Sequence, residues 1–377
     1  MKESFVKKIS ILLAMLALTF GLAFVSCDNG STGGGDNSSP GGNNPGGGDT
    51  TWDESFNWQD VCYGNNRFVA VGVRGKIGYS DDGVTWRPAA NSPFETANAL
   101  NMNINAVCYG GGRFVAGGTS YVAGELVGKM AYSSDGASWT ELPDAAIRVY
   151  SKGSIAYGNG RFVAAVNQKS FAYSNDGITW VASEENSIFR DNYIWTVCFG
   201  SGRFVATGAG DCMAYSDDGI TWRAINKDST HNAIGTNGQV SALAYGNGRF
   251  VAANMLGRFA YSNDALTWSG APYNYSMVGA DVYDICHDGN RFVAIGTGIL
   301  SGYSASRNYV ARSDNGEEWT VEEPVSLRGL TLRSVTYGGG LFVIVGYEPA
   351  TSSSLTKNRI MYSSDGVTWL AVTNTVF

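Results

Sequence analysis

The sequence predicts an all-β chain, folded as a seven-bladed β-propeller with four antiparallel strands in each blade. Three observations predict it. The phrase YSDDGVTW (79–86) returns six more times, as YSSDGASW, YSNDGITW, YSDDGITW, YSNDALTW, RSDNGEEW and YSSDGVTW. A second phrase, GNNRFVAVG (64–72), also has seven copies, the last being GGGLFVIVG (338–346), and the two alternate at a period of about 41–53 residues. Composition points the same way: 50 Gly, 20 Tyr, 17 Phe and 10 Trp with only 16% charged residues suit short strands joined by tight turns. Four strands repeated at this period are the signature of a propeller. An α-solenoid would show a helical period, and a parallel β-helix a much shorter repeat.

The first segment, residues 1–26, reads as a processing signal. Lys2, Lys7 and Lys8 precede an apolar run over 9–25, and FVSC ends at Cys27. This resembles a bacterial lipoprotein signal, with Phe24 where Leu is usual. The resemblance implies lipidation of Cys27 and a membrane as partner through that anchor. Asp28 resembles an inner-membrane retention signal whose rule differs among bacteria, so the leaflet stays open. Residues 27–52 form the second segment, nearly devoid of apolar side chains. Such a stretch cannot bury enough surface to offset its chain entropy. As a flexible tether, 28–50 would span about 25–30 Å. The propeller is expected over 53–377, and TTW (50–52) mimics the start of an outer strand.

Within one repeat, strand A is short and apolar, as in DVCYG. A Gly/Asn turn leads to strand B (RFVAVG), a variable loop to strand C (KIGYS), and the DDG turn to strand D, which begins VTW. In strand A, Val61, Val107, Ile155, Val197, Leu243, Ile285 and Val335 share a face with the residues two positions on, Tyr63 to Tyr337. Between them stand Cys62, Cys108, Ala156, Cys198, Ala244, Cys286 and Thr336. Bulky faces packed on small ones would fill the ring. Cysteines at equivalent positions of adjacent blades lie beyond the Cα reach of a disulfide, about 7 Å, so free buried thiols are expected, with Cys212 alone in a strand C. Arg67, Arg113, Arg161, Arg203, Arg249 and Arg291 open strand B and are expected to pair locally with turn carboxylates.

Chain direction separates two faces. The A–B and C–D turns lie at one end, the bottom, and are near-copies. The B–C and D–A loops lie at the top and vary, most in 117–129, 297–309 and 346–359. Variable loops on a rigid scaffold carry recognition. Residues entering strand A should ring the top of a central channel. Among them Trp195, Tyr283, Arg333, Gln59 and Asn105, with Asp60 and Asp284 one step on, are the candidate ligand contacts. Aromatic rings with a few polar groups suit a sugar or a peptide; packing beneath loops is the alternative for Trp195 and Tyr283.

The repeated phrase resembles the Asp-box of sialidase-type (BNR) propellers, one residue shorter between Asp and Trp. Its counterparts here are Ser80, Asp82, Gly83 and Trp86, then Asp135 and Trp139, Asp176 and Trp180, Asp218 and Trp222, Asp264 and Trp268, Trp319, and Asp365 and Trp369. Ala265 replaces the glycine once and Asn315 the aspartate once. The resemblance implies a structural role at the hairpin between the third and fourth strands. Ser and Asp side chains hydrogen-bond a tight turn, and glycine takes positive φ freely.

The resemblance also implies a rival function, glycoside hydrolysis. No Arg-Ile-Pro motif is found, and no spacing singles out a catalytic arginine triad. Asp60 and Asp284 remain a possible carboxylate pair. Net charge is −7, which offers no basic footprint for nucleic acid. Two histidines, His231 and His287, make a histidine-rich metal site unexpected, and no cofactor is expected. The reading is a monomeric, non-catalytic binding or scaffold lipoprotein of the bacterial envelope, recognising a glycan or a protein, with the hydrolase as alternative.

Overall fold

The computed structural model describes residues 56–95, 101–143, 147–166, 169–183, 188–189, 193–209, 212–235, 239–272, 279–300, 305–351 and 355–373. The signal, the tether with Cys27, and the TTW segment lie outside the described residues. Seven four-stranded antiparallel sheets follow one another, each with its strands A to D in chain order. The first blade runs from Trp58 to Pro88 and the second from Asn103 to Glu141. The third to seventh span Ile155–Ala182, Ile194–Ala224, Val240–Gly270, Asp281–Glu322 and Thr331–Ala371. Among the described residues no helix is long and apolar enough to cross a membrane.

Each hydrophobic core lies between two blades, not within one. Cys62 and Val69 of blade one pack with Val107 and Phe114 of blade two, and the same arrangement steps around the ring. It closes where Val61 and Phe68 of blade one meet Val343, Val345 and Ile360 of blade seven. Closure among the described residues is thus by side-chain packing, with no strand shared. The bulky face of strand A meets the small face of the preceding blade. Tyr109, Tyr157, Phe199, Tyr245 and Tyr63 each lie against a glycine there, Gly64, Gly110, Gly158, Gly200 and Gly338, where a Cβ would come 2.0 Å from the ring. Cys62, Cys108, Cys198, Cys212 and Cys286 are free thiols, and burial pushes Cys108 and Cys198 up to about 12.

The repeated turn is built as its side chains dictate. In blade four, Ser216 Oγ donates to Asp218 Oδ1 (2.9 Å) and accepts from Gly219 N (2.8 Å). Asp218 Oδ1 also accepts from Ile220 N and Thr221 N. Partial burial raises Asp218, but the donors from Thr221 N, Ile220 N and the Ser216 and Thr221 side chains together outweigh it and bring Asp218 down to about 2. Ala265 holds the left-handed φ of 65° that glycine holds in the other six turns. The Trp indole donates back to the turn, as from Trp86 Nε1 to Gly83 O at 3.0 Å. Asp218→Ala should lose these turn bonds and cost about 1–3 kcal/mol, read as a lower urea midpoint with an unchanged slope.

Three features differ from the expectation. The strand-B arginines bridge blades as well as pairing locally: Arg203 donates to Asp217 Oδ1 of its own turn and to the Asp264 carbonyl of the next blade. Much of 117–129 is strand, not loop, because Arg113–Val122 and Glu125–Ser133 extend as one long hairpin. A short helix, Lys227–Ile234, fills the connection from blade four to blade five, capped by Asn226 and covering that interface with Ala233 and Ile234.

Candidate functional site at the top of the channel

Six blades carry an irregularity at one place. The A–B pairing shifts register at Gln59, Asn105, Trp195, Ser241, Tyr283 and Arg333. A β-bulge re-aims the side chain of its extra residue and bends the strand. Blade three lacks it; there Gly153 stands at the position, with φ +61°. The candidate residues therefore share a structural cause for their placement at the channel mouth.

The two aspartates beyond the bulges turn inward and act as staples between blades. Asp60 is buried, 5% exposed, which differs from its expected place among ligand contacts. Its Oδ1 accepts from Val61 N (3.0 Å) and from Ser334 Oγ of blade seven (2.8 Å). Its Oδ2 accepts from Val107 N of blade two (3.0 Å) and from Gly153 N ahead of blade three (3.5 Å). Burial first and Asp284 second push Asp60 up to about 6, against the pull of Val107 N, Ser334 and Lys152. Asp284 repeats the pattern, accepting from Ile285 N and from Val335 N of blade seven, each at 3.0 Å.

Lys152 completes this layer. It stands where the other six repeats hold Trp58, Ile104, Ile194, Val240, Val282 and Leu332. Its ammonium crosses the channel, donates to the Tyr283 carbonyl of blade six, and lies 3.7 Å from Asp284 Oδ2. Burial holds it below the usual lysine range, against the pull of Asp284 and Asp60. The substitution of a lysine into an apolar series was the available signal, and sequence reasoning missed it. Thr196 Oγ1 and Val197 N clip the same segment to blade four through the Gly153 carbonyl. The channel mouth is thus stoppered by an ion network, in which Asp60 and Asp284 flank blade seven and lie within electrostatic range of each other.

Above the stopper, blades six and seven present side chains with unused hydrogen-bonding capacity. Arg333 lies with its guanidinium carbon 5.5 Å from the Tyr347 ring centroid, and its Nε is buried with no hydrogen-bond partner. Tyr283 is pushed up to about 12 by burial and by the neighbouring Asp281, against Arg333. Burial also raises Asp281. Arg333, Tyr283, Tyr347 and Asp281 are brought within electrostatic range of one another. Asn105 is spent on packing, donating to the Val149 carbonyl at 2.8 Å. Gln59 and Trp195 stand half-buried at the mouth. Among the described residues no group of three or more His, Cys, Asp or Glu is placed to hold a metal ion.

This architecture has known counterparts. YCF48 from Cyanidioschyzon merolae is similar at 18% identity, with a TM-score of 0.57 over 78% of this chain and 94% of that one. A structure of YCF48 bound to D1 peptide is similar at 17% identity, with a TM-score of 0.55 over 78% of this chain and 92% of that one. The chain has a seven-bladed β-propeller fold similar to these. At this identity the likeness concerns fold. No family model and no curated protein matches the chain.

Proposed function

We propose that this chain is a non-catalytic binding or scaffold module of the bacterial envelope, lipid-anchored through Cys27, that recognises a polypeptide segment at its top face around Tyr283 and Arg333. The observation that carries this reading is the half-buried Arg333, stacked on Tyr347 and short of acceptors, beside Tyr283 and Asp281 at the channel mouth. A buried donor without a partner costs free energy unless a ligand satisfies it. Exposed large apolar side chains add support. Tyr193, Leu256, Ile299 and Leu355 lie in top loops and Tyr121 and Val122 at the tip of the long blade-two hairpin, against Ile220 and Leu266 in the bottom turns. Aromatic and apolar side chains together with an arginine suit contact with a protein segment. A similar propeller, YCF48, is known bound to D1 peptide.

Glycoside hydrolysis fits the geometry less well. Asp60 spends both oxygens on backbone amides and Ser334, and Asp284 spends both on Ile285 N and Val335 N. Neither carboxylate is placed to attack or protonate a sugar.

The test is to screen the full chain in detergent against peptide and glycan arrays. Tyr283→Ala and Arg333→Ala should each weaken the best peptide by about 30-fold, the usual loss for an anchor residue. Binding of glycans alone would move the ligand class to sugars. Cleavage of any bound ligand would overturn the non-catalytic reading.

A further inference from the structure

The bottom turns are near-copies in six blades, and blade six departs from them at several linked positions. In blades one to five the strand-B arginine stacks on the tyrosine that opens its own repeated turn. Arg67 lies 4.6 Å from the Tyr79 centroid and Arg249 lies 4.5 Å from that of Tyr261. The same arginine reaches the carbonyl of the next blade's turn, as Arg67 reaches Asp135 and Arg249 reaches Asn315. Its Cδ then passes 3.2–3.5 Å from where a Cβ on the next turn's glycine would stand, at Gly136, Gly177, Gly219 and Gly316.

Blade six has Arg312 where the other six have tyrosine. Two guanidinium groups cannot repeat the stack of cation on ring. Arg312 instead takes over the bridging path, its Cδ 3.7 Å from the equivalent point at Gly366 of blade seven, and it pairs with Glu322. Arg291 is displaced toward its own A–B turn. There Asp288 replaces the glycine of the six other blades, and the ion pair it makes with Arg291 is loose, at 3.8 Å. The Nε of both arginines is buried without a hydrogen-bond partner. The displacement opens a groove of about 340 Å³ lined by Arg291, Arg312, Asp314, Asn315, Glu318 and Thr320, together with Ser313. Asp314 and Glu318 are exposed, and among the described residues no ion pair holds either carboxylate.

We infer that this groove is a second binding site, on the bottom of blade six, for a small zwitterion carrying an oxyanion and, a few ångströms away, a primary ammonium. The arginine wall supplies donors that match an oxyanion. The same lining supplies the exposed carboxylates of Asp314 and Glu318 to take an ammonium. A simple anion would meet Asp288, Asp314, Glu318 and Glu322 as well as the two arginines, and like charges at that range oppose it. Two sources share this chemistry, a free α-amino acid and a phosphoethanolamine headgroup.

The test titrates glycine and phosphoethanolamine into the full chain in detergent by calorimetry, with acetate, inorganic phosphate and ethylamine as single-charge controls. A zwitterion should bind at least about tenfold more tightly than each control, which corresponds to 1.4 kcal/mol. The tighter of the two zwitterions identifies the source. Arg312→Tyr restores the residue used by the other six blades, so it should fold normally while weakening zwitterion binding at least about tenfold. Arg291→Gln, which removes the displaced guanidinium, should weaken it similarly. No heat from either zwitterion at millimolar concentration would overturn the inference. So would equal binding of acetate or phosphate, or full binding in a folded Arg312→Tyr protein.

Discussion

Gly200→Ala is expected to destabilise the propeller by about 3 kcal/mol or more, at the upper end of the range for overpacking. The added Cβ would stand 2.0 Å from Cγ of the Tyr245 ring. That ring is fixed from behind by Phe250, with centroids 4.8 Å apart, so it has no free direction in which to move. Blades four and five would have to separate, opening a core that includes Val205, Leu243 and Phe250. Blade six shows what a side chain at this position requires. Asp288 stands there because its turn is rebuilt, with the carboxylate accepting from Asn290 N and Arg291 N at 2.7 Å each. The turn after Gly200 keeps both central residues left-handed, Ser201 at 48° and Gly202 at 75°, and has no such carboxylate. Urea denaturation followed by tryptophan fluorescence would measure the loss. A cost below about 1 kcal/mol would mean that the ring does not sit on the glycine.

Asp60→Ala is the second large effect expected, about 3–5 kcal/mol, because it leaves buried groups uncompensated. Val61 N, Val107 N and Ser334 Oγ lose their acceptor, and Lys152 loses one of the two carboxylates that hold its charge. The pH dependence has a definite sign. Asp60 is raised from 3.8 to about 6, so its contribution is fully present below about pH 4 and is lost as pH rises through about 6. The turn aspartates act oppositely. Asp82, Asp218 and Asp365 are lowered to about 2, so their contribution is present above about pH 4 and is lost as pH falls through about 2. The melting temperature should therefore peak between about pH 4 and 6. Asp60→Asn should remove the decline on the alkaline side and leave the acid side intact. An unchanged alkaline decline in that variant would assign it to another group.

Much of this was legible in the sequence because the molecule repeats itself. Seven copies of one turn and one strand pair specify seven blades, and the alternation of Val61 and Tyr63 with Cys62 predicts which face meets which neighbour. The residues that enter strand A could likewise be named from the repeat. What was not legible depends on contacts made between repeats. The bulges at Gln59 or Tyr283 have no local signature, because they arise from how strands A and B pair under the constraint of the ring. Asp60 read as a surface carboxylate, yet three neighbouring segments supply its donors. Lys152 was passed over because a lone lysine between two segments looks like a solvated side chain until its place in the apolar series is noticed. Arg312 stands in the copy RSDNGEEW, but its consequence for Arg291 required the path of both side chains. The pattern was easy to read where every copy agrees, and the candidate sites lie where one copy departs.

The most direct test of the central claim is hydrogen–deuterium exchange on the full chain, with and without the polypeptide that binds best on the array. The account predicts protection at the strand-A entrances, over 193–196, 281–284 and 331–334, and in the adjoining top loops. Protection confined to the bottom turns, around 79–86 and its copies, would contradict it.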